Sequence, residues 1–137
     1  MAYSNFYARF YDLNQRIGSS FAAVWRFRPS RFYLLTWGLL HIIVWWQAIF
    51  IFRNLIGNFL VLHYNVDFGV DLVGDPVQIL YYPLYALGIG IINLIIVAAL
   101  NQNKDFRIFV HLLLATAVLF ALFLNLVLLF IYLINFK

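Results

Sequence analysis

Apolar residues run almost unbroken through three segments, 32–52, 79–100 and 108–136, and the polar residues between them gather in short clusters. Each segment holds the ~20 predominantly apolar residues that cross a hydrocarbon core of about 30 Å at about 1.5 Å per residue. The pattern predicts an all-α membrane protein with three transmembrane helices, at 30–53, 79–100 and 108–136, in a single membrane domain spanning 1–137. Ser30 is placed to cap the first helix, and Phe52-Arg53-Asn54 marks its exit into headgroups. Pro83 falls near the start of the second, where its missing N–H is tolerated.

Two segments outside the spans carry their own periods. In residues 1–29, Tyr3, Phe6, Tyr7, Phe10, Leu13 and Ile17 recur at three- and four-residue spacing, with Arg9, Asp12 and Arg16 on the other side. This predicts an amphipathic helix that Gly18-Ser19-Ser20 ends, then a short helix capped by Ser20 and stopped by Pro29. Such a segment lies along a leaflet, its Arg side chains among anionic headgroups; docking on a partner is the alternative. In the loop 54–78 the apolar residues Leu60, Leu62, Tyr64, Val66, Phe68, Val70 and Leu72 alternate with His63, Asn65, Asp67, Gly69 and Asp71. Period two predicts extended structure with one apolar and one polar face, and Asp67-Phe68-Gly69 offers a hairpin turn. The apolar face then has to rest on the helix ends, the outer leaflet or a neighbouring subunit.

Composition agrees with the pattern. Hydrophobic residues make up 66% of the chain and charged residues 10%, and mean hydropathy is +0.92, more apolar surface than a soluble domain of this size can bury. The absence of cysteine excludes disulfides, thiolate metal sites and cysteine nucleophiles. The net charge of +4 needs no nucleic acid to explain it, because the basic residues flank the spans. Arg9, Arg16, Arg26, Arg28, Arg31, Lys104 and Arg107 lie before the first span or in the 101–107 loop, against Arg53 and Lys137 elsewhere. The positive-inside rule puts the N-terminus and the 101–107 loop in the cytoplasm, with the 54–78 loop and the C-terminus outside a bacterial inner membrane. Arginines interrupt any signal-peptide core near the N-terminus, so the first span is expected to remain as a signal anchor.

The polar residues inside the spans are few. His41 lies near the middle of the first, and Asn93 and Asn125 lie deep in the second and third. Ionisable groups at that depth face the bundle interior. His41 can serve as a helix–helix hydrogen-bonding group with Asn93, Asn125, Thr36, Gln47 or Thr116, as a ligand contact, or as part of a proton relay; the first is simplest. The pairs Ala86/Gly90 and Ala117/Ala121 predict close contact between the second and third helices. Haem is not expected: His41 is central, His111 lies toward one end of the third span, and His63 is in the loop.

The polar face of the loop gathers His63, Asn65, Asp67 and Asp71, open to three readings: a solvated surface, a recognition surface, or a site for a hard cation. No recognised metal spacing is present, and no metal or other cofactor is expected. His63-Tyr64-Asn65, followed by Asp71 and Gly74, resembles the His-aromatic-Asn signature of a domain of unknown function found at the start of SdpI-type bacterial membrane proteins. That resemblance covers about a dozen residues. It implies an extracytoplasmic site between the first two helices and a link to toxin immunity and signalling, but no defined chemistry. The internal Gly69 is one place late for the signature, and the proline before the histidine is missing. The three-span layout also resembles the anchor subunits of succinate dehydrogenase, without their histidine motifs.

No nucleophile–base or acid–base pair falls at a workable depth, so catalysis is not expected. The favoured expectation is a non-enzymatic accessory or structural subunit, or an SdpI-like sensing or immunity component. It would recognise its target through His63, Tyr64, Asn65, Asp67 and Asp71, with the lipid bilayer, copies of itself or other membrane subunits as partners. The alternative is an oligomeric permeation unit using His41, Asn93 and Asn125. The cysteine-free chain makes the topology directly testable. In intact cells or spheroplasts a membrane-impermeant maleimide should label an Asp67→Cys variant and leave Asn103→Cys untouched until the membrane is opened; the opposite pattern inverts the topology.

Overall fold

The computed structural model of the chain describes residues 2–55, 57 and 59–136, and the side chains of these from residue 11 onward apart from residues 12 and 13. Helix α1 (Ala2–Arg26) is followed by α2 (Arg28–Asn54), then by strands β1 (Leu60–Asn65) and β2 (Gly69–Gly74). A 3-10 turn, Pro76–Leu80, runs into α3 (Tyr81–Ala99). The last long helix is assembled from α4 (Phe106–Phe109), a π-helical turn at Val110–Leu114, and α5 (Ala115–Phe136). Among the described residues three stretches are long and apolar enough to cross a membrane: Arg28–Asn54, Pro76–Ala99 and Phe106–Phe136, of 27, 24 and 31 residues. They match the three apolar segments of the sequence and are compatible with an integral membrane protein.

The N-terminal segment departs from expectation. Gly18-Ser19-Ser20 lies inside an unbroken α1, and the hydroxyl of Ser19 donates to the carbonyl of Arg16 at 2.8 Å instead of opening a new helix. The break falls at Phe27, whose backbone is extended, because a helix continuing through Pro29 would drive the proline ring into the carbonyl four residues back. With Pro29 in its first turn, α2 starts at Arg28. Ser30 is therefore not the cap: it sits buried in the first turn, its N–H donating to the carbonyl of Phe27 at 3.1 Å. The expected stripe of Tyr3, Phe6, Tyr7, Phe10 and Leu13 against Arg9 and Asp12 lies outside the described side chains.

Two apolar clusters hold the bundle, one toward each end. At the hairpin end, Val44, Ala48 and Ile51 of α2 meet Leu60 of β1, Ile79 of the 3-10 turn, Ala86 of α3, and Leu124, Leu128 and Ile131 of α5. At the other end, Val24 of α1 joins Val97 and Ala98 of α3 with Val110 and Leu114 of the π turn. The last helix packs more extensively on α2 than on α3. Ala86, Gly90, Ala117 and Ala121 are all buried, and the expected contact between the second and third apolar helices is present. Gly90, however, receives the first helix: a Cβ there would overlap the indole of Trp37.

Gly90 therefore has a defined steric role, and Gly88, with open space around its Cβ position, is its control. In thermal unfolding in detergent, Gly90→Ala should destabilise by about 1–3 kcal/mol through overpacking, whereas Gly88→Ala should be neutral or better, because alanine is the stronger helix former. Trp37→Phe should recover part of the loss in the Gly90→Ala background. Equal behaviour of the two glycine variants would refute the close approach.

Candidate functional site

The hairpin is set by local chemistry. Asn65 turns its side-chain oxygen onto the N–H of Asp67 at 2.8 Å, a short-range bond that bends the chain at Val66-Asp67-Phe68. Gly69 closes the turn at φ +79°, a conformation that a side chain would strain. The strands then pair antiparallel from Asn65↔Gly69 to Leu60↔Gly74. Asp75 accepts the N–H of Val77 at 2.8 Å and so starts the 3-10 turn that leads into α3.

Irregularities between Val61 and His63, and between His63 and Tyr64, break the strict alternation expected of β1. A bulge shifts which side chains share a face. The outcome is a hairpin whose base is buried and whose tip is not. Leu60 is fully buried and Leu62 packs on the same cluster, while Val66 and Phe68 are 89% and 84% exposed, with Tyr64, Val70 and Leu72 about half exposed. The helix ends thus cover the base of the apolar face, and none of the described residues covers its outer part.

The side-chain amide of Asn135 fixes the base. Its Oδ1 accepts the N–H of Val61 at 3.0 Å and its Nδ2 donates to the carbonyl of Val61 at 2.8 Å. One side chain from α5 thereby completes the outer edge of β1 as a neighbouring strand would. A second donation from Nδ2, to the carbonyl of Ile131 at 2.8 Å, holds the amide in place. Asn135 went unnoticed in the sequence because its partner lies 74 residues away; the one available signal was an asparagine in an otherwise apolar final turn.

Of the predicted loop residues, the fold brings His63 and Asp71 together, Nδ1 to Oδ1 at 2.7 Å. Both side chains are largely exposed, 61% and 40%, so the pair contributes at most about 1 kcal/mol to stability. Its effect is orientation: a carboxylate accepting from Nδ1–H leaves Nε2 as the free face of the ring. Asn65 is committed to the turn, Asp67 and Tyr64 remain exposed near the tip, and Asp75 is committed to its cap. Among the described residues no group of three or more His, Cys, Asp or Glu side chains could hold a metal ion.

The polar residues within the helices separate as well. Trp45 Nε1 donates to His41 Nε2 at 3.0 Å, and Trp37 stacks on the imidazole at 5.6 Å between ring centres. An indole N–H only donates, so Nε2 is the acceptor and the proton of the neutral ring sits on Nδ1. Neither Asn93 nor Asn125 bonds to His41. Asn93 donates to the carbonyl of Leu113 in the π turn at 2.9 Å, and Asn125 donates to the carbonyls of Leu40 at 3.2 Å and Ala121 at 2.8 Å. The i, i+4 spacing on α2 puts an indole nearer the histidine than any facing amide, and Thr116 likewise bonds within its own helix, to Leu112, at 2.7 Å. His111 meets the hydroxyl of Tyr33 at 3.1 Å, an interhelical link that sequence reasoning missed.

No family model, no curated protein and no solved structure matches this chain.

The Asn135 clamp carries a prediction of its own. Asn135→Leu leaves the outer edge of Val61 unpaired, at about 1–3 kcal/mol, so hydrogen exchange at the Val61 amide should accelerate roughly tenfold or more. His63→Ala, which removes only an exposed partner, should leave that amide protected. Unchanged exchange in Asn135→Leu would mean that the clamp does not hold the hairpin.

Proposed function

We propose that this chain is a small, non-enzymatic membrane protein that presents its hairpin on the outer side of a bacterial inner membrane, as an accessory subunit that recognises another membrane protein. The carrying observation is the contrast within the hairpin. Its base is clamped to α5 by Asn135, while the apolar side chains of Val66 and Phe68 at the tip stay exposed. A free loop has no need of such an anchor, and a surface hairpin meant only for water has no need of a phenylalanine and a valine at its tip. His63, oriented by Asp71, and the exposed Asp67 and Tyr64 supply a polar rim around that apolar patch.

The rest of the reading follows from composition and charge. Three helices long and apolar enough to cross a membrane support a place in the bilayer, and the Lys and Arg distribution supports an N-terminus inside. The arginines of α1 then lie near the inner headgroups. The resemblance of His63-Tyr64-Asn65, Asp71 and Gly74 to the SdpI-associated domain favours the same outer location and a sensing or immunity role.

A photo-crosslinking amino acid placed at Phe68 in native membranes tests the proposal. A discrete protein adduct is expected from that position, weakened in an Asn135→Leu background. The same probe at Leu119, which is exposed on α5, should give lipid adducts only. Lipid adducts alone from Phe68 would mean that the tip rests on the leaflet and would defeat the recognition reading.

A further inference from the structure

A polar cleft of about 490 Å³ opens where α1 passes the end of α3, at the end of the bundle remote from the hairpin. Arg16, Ser19 and Ser20 line it from α1, and Ala99, Asn101 and Gln102 from the other side. The three α1 residues stand at i, i+3 and i+4, which puts them on one face of the helix. The two walls are fixed to each other. Asn101 Nδ2 donates to Ser20 Oγ at 2.8 Å and to the carbonyl of Ala98 at 2.7 Å. One turn further along α1, Val24 packs on Val97 and Ala98. Both side-chain N–H bonds of Asn101 are thereby used, and Ser20 Oγ acts as acceptor. The hydroxyl hydrogen of Ser20 meets no acceptor among the described residues, so it is free to donate in the cleft. Ser19 is committed to its own helix, donating to the carbonyl of Arg16 at 2.8 Å. The guanidinium of Arg16 and the carboxamide of Gln102 add further donors, and among the described residues no carboxylate lines the cleft.

A guanidinium beside a hydroxyl and an amide, with no acid, is a donor set suited to a phosphate oxyanion. The depth agrees. Ala99 is the last residue of α3, so the cleft lies where an apolar span ends, which in a bilayer is the level of the headgroups. Most of the chain's Lys and Arg fall in residues 1–31 and 101–107, against Asp12 and Asp105, and the positive potential at this end attracts anions. We infer that the cleft binds the anionic phosphodiester of a glycerol-type headgroup. Arg16 and Ser20 hold the phosphate oxygens, and the carboxamide of Gln102 takes a hydroxyl of the glycerol. The volume falls within the roughly 300–1,000 Å³ of small-molecule sites, more than a bare phosphate fills. A zwitterionic headgroup suits the cleft less well, because its ammonium meets no carboxylate there. The inference rests on the chain spanning a bilayer, and is independent of what the hairpin recognises.

The test offers the full chain in detergent phosphatidylglycerol and phosphatidylethanolamine of identical acyl chains and counts retained lipid by native mass spectrometry. Phosphatidylglycerol should be retained roughly tenfold over phosphatidylethanolamine. Arg16→Gln and Lys104→Gln each remove one positive charge from the same end, but only Arg16 lines the cleft. With helical content unchanged by circular dichroism, the preference should fall to parity in Arg16→Gln and persist in Lys104→Gln. Soluble glycerophosphoglycerol separates the sources: failure to compete assigns the site to a lipid, and displacement assigns it to a free phosphodiester of the same chemistry. Equal retention of the two lipids by the unsubstituted chain, a preference that survives Arg16→Gln, or equal loss in both variants overturns the inference and leaves general surface electrostatics. Release of the chain from native membranes by alkaline carbonate is a separate failure, which overturns the membrane reading and this inference with it.

Discussion

Four asparagine side chains carry most of the polar connections between the elements of this protein, and the arrangement of the bundle depends on them. Asn101 ties the end of α3 to Ser20 of α1, Asn93 ties α3 to the π turn, Asn125 ties α5 to α2, and Asn135 ties α5 to β1. In a bilayer the helices gain little from burying leucine against leucine, since lipid is as apolar as the neighbouring helix. Register is then fixed by close packing and by a few hydrogen bonds. An amide suits this task because Nδ2 can satisfy a carbonyl on its own helix and another across the interface, as it does in Asn125 and Asn135. The link between Tyr33 and His111 is the other described side-chain bond between helices.

That reliance on amides explains how much of the fold could be read from the sequence. The three apolar helices were legible because their signal is length and composition, and both are local. The hairpin was legible for a similar reason: period-two alternation around Asp67-Phe68-Gly69 is contained within fifteen residues of chain, 60–74. What escaped was pairing. His41 offered three possible roles, and its actual partner, Trp45, lies one helical turn away on the same helix. Gly18-Ser19-Ser20 reads as a stop, yet Ser19 folds its hydroxyl back onto Arg16 and the helix continues to Arg26. Asn135 reads as an ordinary polar residue near a helix end. Its importance appears only when the hairpin, remote in sequence, is seen beside it.

The candidate site divides along the same line. Sequence alone pointed to the hairpin and to a polar face of His63, Asn65, Asp67 and Asp71; that His63 and Asp71 pair with each other came from the structure, where His63 stands opposite Leu72 in the ladder. The sequence did not foresee that Asn65 and Asp75 would be spent on the turn and the cap, which leaves fewer polar groups free for a partner than the pattern suggested. Nor did it foresee the bulges, which end the clean separation of faces and turn apolar side chains outward beyond Leu62.

The bond between Asn135 and Val61 also orders events in time. Val61 leaves the ribosome 74 residues ahead of Asn135, so the hairpin spends most of synthesis without its anchor. It can be clamped only once α5 has been made and packed beside α2. A chain interrupted within α5 would still contain every residue of the hairpin, but would hold it loosely. The clamped geometry of the hairpin therefore exists only where α5 is in place.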